Sequence, residues 1–335
     1  MGRRRMGRGV VDAPMKSQYV HDLKDKSVVA STFLVLEKEE RKKKDGTPYL
    51  QIKLSDKTGT LRAKCWERVK EMAALFNVGD IVYVKGETEV YHDNLELSLV
   101  FGNVRRCLQS EVLWSDYIKT TDKDIESMFS EMKGEVLLFK NEHLKKLLLL
   151  FFDDAEFASS FKKTPGAKIH HHNYVGGLLE HTYAVFSICK AFSSIYNELD
   201  RELLLAGAML HDIGKIRDYT YKLNIDITDS GGLVGHIISG NEMLAEKISR
   251  IPEFPEELGL KLRHLIVSHH NTGEWGSPVE PRFSEAAALH YADLADSHIS
   301  QFISIEEDEK GKERTSSWSS FSHSLQRMLY LGKKK

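Results

Sequence analysis

Between Leu203 and Lys215 the chain reads LLLAGAMLHDIGK, a run of apolar and small residues that ends in a histidine, an aspartate and a helix-breaking Gly214. A helix that is apolar on every side is stable only when buried. The segment therefore requires a layer of other elements around it, and it sets His211 and Asp212 where a buried helix opens. Adjacent residues diverge on a regular helix, so such a pair reaches one point only where the backbone changes direction. An imidazole beside a carboxylate in that setting suits a metal ion. By itself the pair reads equally well as capping or surface residues, and its partners elsewhere in the chain decide between the two.

The 335 residues leave room for one to three domains, each large enough to bury a core. With 41% hydrophobic and 29% charged residues and no apolar run as long as a membrane span, the composition is that of a soluble globular protein. The opening MGRRRMGRGVVDAP carries arginines but no apolar stretch after them, so no signal peptide is expected. That opening reads either as a basic arm or as an extension of a chain that starts at Met15. Cys65, Cys107 and Cys189 are widely spaced and odd in number, which suits core residues in a reducing cytoplasm and excludes a disulfide framework or zinc knuckle. The net charge of −2 conceals an asymmetry: residues 1–110 carry 21 Lys+Arg against 15 Asp+Glu, and the remainder 26 against 34. A basic front and an acidic, histidine-rich back point to two parts with different tasks.

From Val28 the front reads as strands. STFLVLEKEE is β-rich, YLQIKLSD and TLRAKCW alternate apolar with polar residues, and IVYVKGETEVY and LELSLVFGNVRR follow. Five strands with a short helical insertion, Glu67 to Phe76, between the third and fourth form the pattern of an OB-fold rather than an SH3-like barrel. OB barrels hold single strands on strands 2 and 3, flanked by the loops between strands 1 and 2 and between strands 4 and 5. The first of those loops is Arg41-Lys42-Lys43-Lys44, so these four are candidate phosphate contacts. Tyr49, Trp66, Tyr83 and Tyr91 are candidate stacking platforms, although aromatics in strands are more often core. Leu113 to Phe152 turns helical and reads as a connector without chemistry of its own.

Beyond Phe157 histidines recur at helix ends and beside small residues. His170, His171 and His172 precede a glycine pair; the following helix carries His181; the Leu203 helix delivers His211 and Asp212. Gly235-His236 opens another helix, a further one ends in His269-His270, and an alanine-rich helix carries Asp293 and Asp296. Unpaired ionisable groups in such apolar settings are costly, and a shared metal site resolves the cost. Imidazole and carboxylate without thiolate favour Mn, Fe, Co or Zn over a thiolate-bound structural zinc.

His181, His211-Asp212 and Asp293 together match the H…HD…D signature of the HD superfamily, all-helical metal-dependent phosphohydrolases. IHHHNYVGGLLEHT, AGAMLHDIGK, GHIISG, SHHNTGEWGSPV and LHYADLADSHI, in that order behind an OB barrel, resemble more closely the YhaM family of bacterial 3′→5′ exoribonucleases. The resemblance implies a first ion on His181, His211, Asp212 and Asp293. It implies a second on His236, His269 and His270, with Asp212 bridging. Manganese is the expected metal, and Co, Fe or Zn are alternatives. It further implies that Lys215 faces the substrate phosphate, that His171 and His172 contact phosphate, and that Asp296 either orders the site from behind or is simply exposed.

The expected architecture is thus multidomain, an all-β OB barrel followed by an all-α HD domain. It divides into a basic arm (1–18), an OB-fold nucleic-acid-binding domain (19–110), a helical connector (111–156), an HD phosphohydrolase domain (157–304), and an acidic loop, terminal helix and basic tail (305–335). The expected activity is metal-assisted 3′→5′ hydrolysis of single-stranded RNA, and of single-stranded DNA as a further substrate. Two alternatives remain: an HD-type nucleotide or cyclic-dinucleotide phosphohydrolase, and a non-catalytic single-strand-binding or replication-associated protein with a structural metal. Oligomeric state is not readable from the sequence.

Overall fold

A computed structural model describes residues 16–92, 94–167, 172–221, 225–310, 316–322 and 324–332. The chain divides between Lys119 and Thr120 into two compact units. The first is a closed barrel of β1 (Val28–Lys42), β2 (Pro48–Asp56), β3 (Gly59–Cys65), β4 (Ile81–Tyr91) and β5 (Asn94–Arg106), in the order β1-β2-β3-β5-β4. The long β1 makes closure possible. Its first half pairs antiparallel with β4, from Val28↔Glu87 to Leu34↔Ile81, and its second half with β2, from Leu34↔Ser55 to Lys42↔Pro48. A bulge between Val35 and Glu37 bends the strand from one partner to the other. A parallel pairing of Arg62–Cys65 with Glu96–Leu99 completes the ring. Helix α1 (Val69–Ala74) lies between β3 and β4, shorter than the expected insertion, and packs Met72 into the barrel core with Phe33, Leu50, Ile52 and Leu97. This is the OB architecture.

Residues 1–15 of the expected basic arm lie outside the described residues, but residues 16–18 join the barrel. Lys16 pairs with Asp56 at 2.9 Å and donates to the Thr32 carbonyl, while the Gln18 side chain exchanges hydrogen bonds with Val28 and Ala30.

The second unit is helical. Its elements are α2 (Ile125–Leu137), α3 (Glu142–Phe152), α4 (Ala155–Lys163), α5 (Gly177–Ile195), α6 (Arg201–Leu210), α7 (Lys215–Asp218), α8 (Asp229–Leu233), α9 (His236–Ile248), α10 (Glu256–Ser268) and α11 (Ser284–Lys310). A two-stranded ribbon, β6 (Tyr219–Thr220) with β7 (Asp226–Ile227), stands between α7 and α8. Asp124, Asn141, Asp154 and Asp200 cap α2, α3, α4 and α6 through their side chains, satisfying amides that a helix start leaves open. In α6 every residue from Leu203 to Leu210 is buried, as its all-round apolar sequence requires. The two helices of the expected connector share this core: Phe129, Met132, Leu147, Phe151 and Phe152 pack in one cluster with Leu179, Phe186, Leu204 and Leu265.

Two expectations for the C-terminal segment are corrected. The acidic run Glu306–Glu309 is not a loop, because α11 continues through it to Lys310. Glutamate is a good helix former, and no glycine or proline occurs between Ser284 and Lys310. Nor is residues 318–331 a terminal helix. Trp318 bridges Tyr330 and Ser322 bridges Arg327 antiparallel, and the Ser319 hydroxyl accepts from the Leu329 amide. Six serines from Ser316 to Ser324 offer the backbone such side-chain partners, which compete with helix formation. The basic tail, 333–335, lies outside the described residues. No helix among the described residues is long and apolar enough to cross a membrane.

Candidate metal centre and nucleic-acid groove

His211 and Asp212 stand directly after the last residue of α6, and the chain turns there to start α7 at Lys215. The turn is tight against α9: a Cβ at Gly214 would overlap the His236 carbonyl oxygen and crowd the Gly240 amide. Glycine at this position therefore lets α9 approach closely enough to bring His236 to Asp212. Helix α5 supplies His181, the end of α10 supplies His269 and His270, and α11 supplies Asp293.

The Asp212 carboxylate lies at the middle of these groups, 2% exposed. Its two oxygens face different ways. Oδ2 is 3.5 Å from His181 Nε2 and 3.4 Å from His211 Nε2. Oδ1 is 3.4 Å from His236 Nε2 and 3.6 Å from His269 Nε2. Asp293 spans the same two sets, with Oδ1 3.2 Å from His181 Nε2 and Oδ2 3.4 Å from His270 Nδ1. His181 Nε2 and His211 Nε2 are 3.2 Å apart, as are His236 Nε2 and His270 Nε2. Two donor sets meet at these carboxylates, His181, His211 and Asp293 on one side and His236, His269, His270 and Asp212 on the other, and a third group, His172, His181 and Asp296, shares His181.

Each of three imidazoles is held by its outer nitrogen. His211 Nδ1 donates to the Ala208 carbonyl at 2.8 Å, His269 Nδ1 to the Ile266 carbonyl at 2.7 Å, and His181 Nδ1 to Asp296 Oδ2 at 2.7 Å. With that nitrogen carrying the hydrogen, the inner Nε2 presents a lone pair, the tautomer that metal-binding histidines adopt. Asp212 Oδ1 and His269 Nε2 are buried without a hydrogen-bond donor, while Oδ2 meets the Lys215 ammonium. Buried acceptors without donors are expensive, and a cation between Oδ1 and Nε2 satisfies both. The donor set thus fits divalent metal.

The electrostatics agree. Burial alone would raise the Asp212 and Asp293 pKa values, but the surrounding Lys215 and imidazoles hold both well below the usual carboxylate range. Burial pushes His269 down to about 4 and His236 well below its ordinary value, so both are neutral at pH 7. His181 goes the other way: burial lowers it, but Asp293 and Asp296 outweigh that and push it up to about 10. The carboxylates that favour an imidazolium proton there favour a divalent cation in its place. Lys215 Nζ is 2.6 Å from Asp212 Oδ2 and is buried.

All seven expected metal ligands and Lys215 therefore lie together. His171 lies outside the described residues. His172 is inside the unit and buried, with Nε2 3.0 Å from Asp296 Oδ2 and Nδ1 2.9 Å from the Tyr174 hydroxyl. Asp296 is thus not a simply exposed residue but the common partner of His172 and His181. Sequence reasoning missed Asp218, whose Oδ2 stands 3.8 Å from His236 Nδ1, and His290, which donates to the His269 carbonyl. Asp218 lies three residues beyond Lys215, and no spacing rule marked it.

On the barrel, Lys42, Lys43, Lys44, Tyr49, Lys64, Trp66 and Tyr91 line a groove of about 550 Å³ that runs across the ends of β2 to β5, with Glu89 and Glu96 on its far side and Lys64 paired to Glu96. Tyr49 and Trp66 pack with ring centroids 4.8 Å apart, and Lys43 lies over the Trp66 ring at 4.5 Å. Trp66 is 41% and Tyr91 58% exposed, as stacking platforms rather than core residues would be. Tyr83 does not line this groove, and Arg41 is paired with Glu39 at 2.7 Å.

Residues 178–297 match the HD domain family, and residues 35–105 match a family described as OB-fold nucleic acid binding domain. Among curated proteins, the chain is 31% identical to the 3′-5′ exoribonuclease YhaM of Listeria welshimeri over 265 residues, 78% of this chain and 82% of that protein. It is 30% identical to YhaM of Halalkalibacterium halodurans over 276 residues, covering 80% and 83%, and 31% identical to YhaM of Bacillus subtilis over 256 residues, covering 76% and 80%. A barrel with a basic aromatic groove, a helical unit with two His/Asp donor sets, and similarity along most of both chains lead to one assignment: the protein belongs to the YhaM family of 3′-5′ exoribonucleases.

Proposed function

We propose that the protein is a metal-dependent 3′→5′ exoribonuclease that hydrolyses single strands at a two-ion centre. Asp212 carries this reading, because its two oxygens each face a separate pair of imidazoles. His181, His211 and Asp293 would hold the first ion and His236, His269 and His270 the second, with Asp212 available to either. The donor chemistry suits manganese, with Co, Fe or Zn as alternatives. When bound, the ions supply Lewis-acid charge to the phosphodiester and a nucleophile from water at neutral pH.

The chain's own contribution is orientation and charge. The Ala208 and Ile266 carbonyls and the Asp296 carboxylate fix three imidazoles in the tautomer that points a lone pair inward. Lys215 keeps its proton and is the fixed cation that meets the phosphate oxygens as negative charge develops there. The barrel groove grips the strand by stacking bases on Trp66, Tyr49 and Tyr91 while Lys42, Lys43 and Lys44 engage phosphates. Base faces and phosphates are common to RNA and DNA, so single-stranded DNA is a second substrate of the same groove.

The test is a gel of 5′-labelled single-stranded RNA bearing a 3′-hydroxyl. With Mn²⁺ the RNA shortens stepwise from its 3′ end and releases mononucleotides; EDTA and Asp212→Ala both stop this. RNA that remains intact with Mn²⁺, Co²⁺ and Mg²⁺ each supplied would refute the reading. Faster turnover of a cyclic dinucleotide than of an oligomer would instead favour a small-nucleotide phosphohydrolase.

A further inference from the structure

The segment before α5 contains a histidine in an uncommon conformation. His172 has φ of 58°, in the left-handed region that side chains other than glycine seldom adopt. Its backbone is clamped there: the His172 carbonyl accepts from the amides of Gly166 and Tyr174, both at 2.9 Å. Two glycines make the clamp possible. A Cβ at Gly177 would overlap the His172 carbonyl oxygen, and one at Gly166 would overlap the His172 Cβ. Strain of this kind persists only where the surroundings over-determine it, and it gathers at functional sites.

The imidazole points to the metal centre through one intermediary. Its Nε2 is 3.0 Å from Asp296 Oδ2, the same oxygen that takes His181 Nδ1 at 2.7 Å. The Ser300 hydroxyl approaches that Nε2 at 3.3 Å, and the Tyr174 hydroxyl meets Nδ1 at 2.9 Å. The route continues outward to Glu180, 4.0 Å from His172 Nδ1, which is held by the Thr121 hydroxyl at 2.5 Å and by Lys123 at 2.9 Å. Both ring nitrogens of His172 are therefore directed at protein groups. The whole series meets His181 at Nδ1, the ring nitrogen other than the one that faces Asp212 and Asp293.

We propose that His172 and Asp296 are positioning residues that set the affinity of the first ion through His181, and that His172 does not contact the substrate phosphate. Asp296 fixes the His181 ring and raises the basicity of its inner nitrogen; His172 fixes Asp296. Partners of this kind change metal affinity by about 10–100-fold when removed. The donor set of the second ion has its own supports and keeps its affinity. The inference rests on the two-ion reading above.

The experiment is calorimetric titration of chelator-treated full-length protein with MnCl₂, alongside steady-state RNA hydrolysis at saturating Mn²⁺. Wild type takes up two equivalents. In Asp296→Asn and His172→Ala one of the two affinities falls about 10–100-fold while the other is retained. His172→Gln, whose amide nitrogen reaches the position of Nε2, recovers most of the loss. KM for RNA stays within twofold in all three. Far-UV circular dichroism in EDTA identifies any variant that has not folded, and His172→Gln with Asp296→Asn then carry the comparison. A raised KM with unchanged Mn²⁺ affinity would show that His172 touches the substrate and would overturn the proposal. So would affinities unchanged throughout, or a third equivalent in wild type that the variants lose, which would make His172 and Asp296 ligands. Wild type that binds no Mn²⁺ overturns the two-ion reading itself.

Discussion

Replacing Asp212 with asparagine keeps the shape of the side chain and removes its charge, and the structure sets what that must cost. Asp212 and Lys215 have side-chain exposures of 1% and 10% and approach to 2.6 Å. Removing one member of a buried pair leaves the other charged without compensation, at about 3–5 kcal/mol. For a unit of this size each kcal/mol moves the melting temperature by about 2–4 °C, so Asp212→Asn in EDTA should melt roughly 6–20 °C below wild type. The cost belongs to the stranded ammonium, which gives the argument a second arm. Lys215→Met in the Asp212→Asn background removes that ammonium and should recover more than half of the loss. Mn²⁺ at 100 times its dissociation constant should stabilise wild type by about 2.7 kcal/mol for each ion held and leave Asp212→Asn unmoved. The assay is thermal denaturation followed by near-ultraviolet circular dichroism, in EDTA and in MnCl₂. An Asp212→Asn protein that melts with wild type in EDTA, or a double variant less stable than the single one, would refute the reasoning.

Trp66→Ala should weaken binding of single-stranded RNA by about 1–3 kcal/mol by fluorescence anisotropy and leave turnover at saturating RNA unchanged. Alanine at Lys42, Lys43 and Lys44 together should flatten the slope of log affinity against log salt by about 2, since each single-strand phosphate contact contributes about 0.7. The His181 pKa is raised to about 10 in the fold against 6.5 for the ordinary side chain, so its contribution to stability is fully present below pH 6.5. That contribution disappears as pH rises through 10; urea denaturation in EDTA should show a fall over this window that His181→Gln lacks. Leu147→Ala should destabilise the helical unit by about 2–5 kcal/mol in the same assay, because the side chain is fully buried in the core shared with α5 and α6.

Most of this was legible in the residues, for identifiable reasons. Alternating strands of β2 and β3 reveal themselves because one face is core and the other solvent, and the all-apolar Leu203–Leu210 run had only a buried solution. The histidines and aspartates of the centre stood out because each stands at a helix end or in a small-residue context, where an ionisable group needs explanation, and the family resemblance selected the seven candidate ligands among them. What stayed hidden depended on contacts between distant segments. Nothing in the sequence separates Asp296 as the shared partner of His172 and His181 from an exposed helical aspartate, because three segments must meet before it has partners. The apolar spacing of Trp318, Phe321, Leu325 and Met328 fits a helix, yet the serines among them are used by an antiparallel bridge. Glu306–Glu309 looked like a loop because a charge run carries no period, although a helix already under way continues through it.

Helix α11 has a mechanical consequence for the centre. It runs 27 residues, about 40 Å, and presents Asp293 and Asp296 three positions apart on one rigid rod. These two carboxylates grasp opposite nitrogens of a single ring, Nε2 and Nδ1 of His181. Because one helix carries both, their spacing across the ring is set by the helical rise of that rod. Carboxylates borne on two independent helices would depend on the packing between those helices for the same registration.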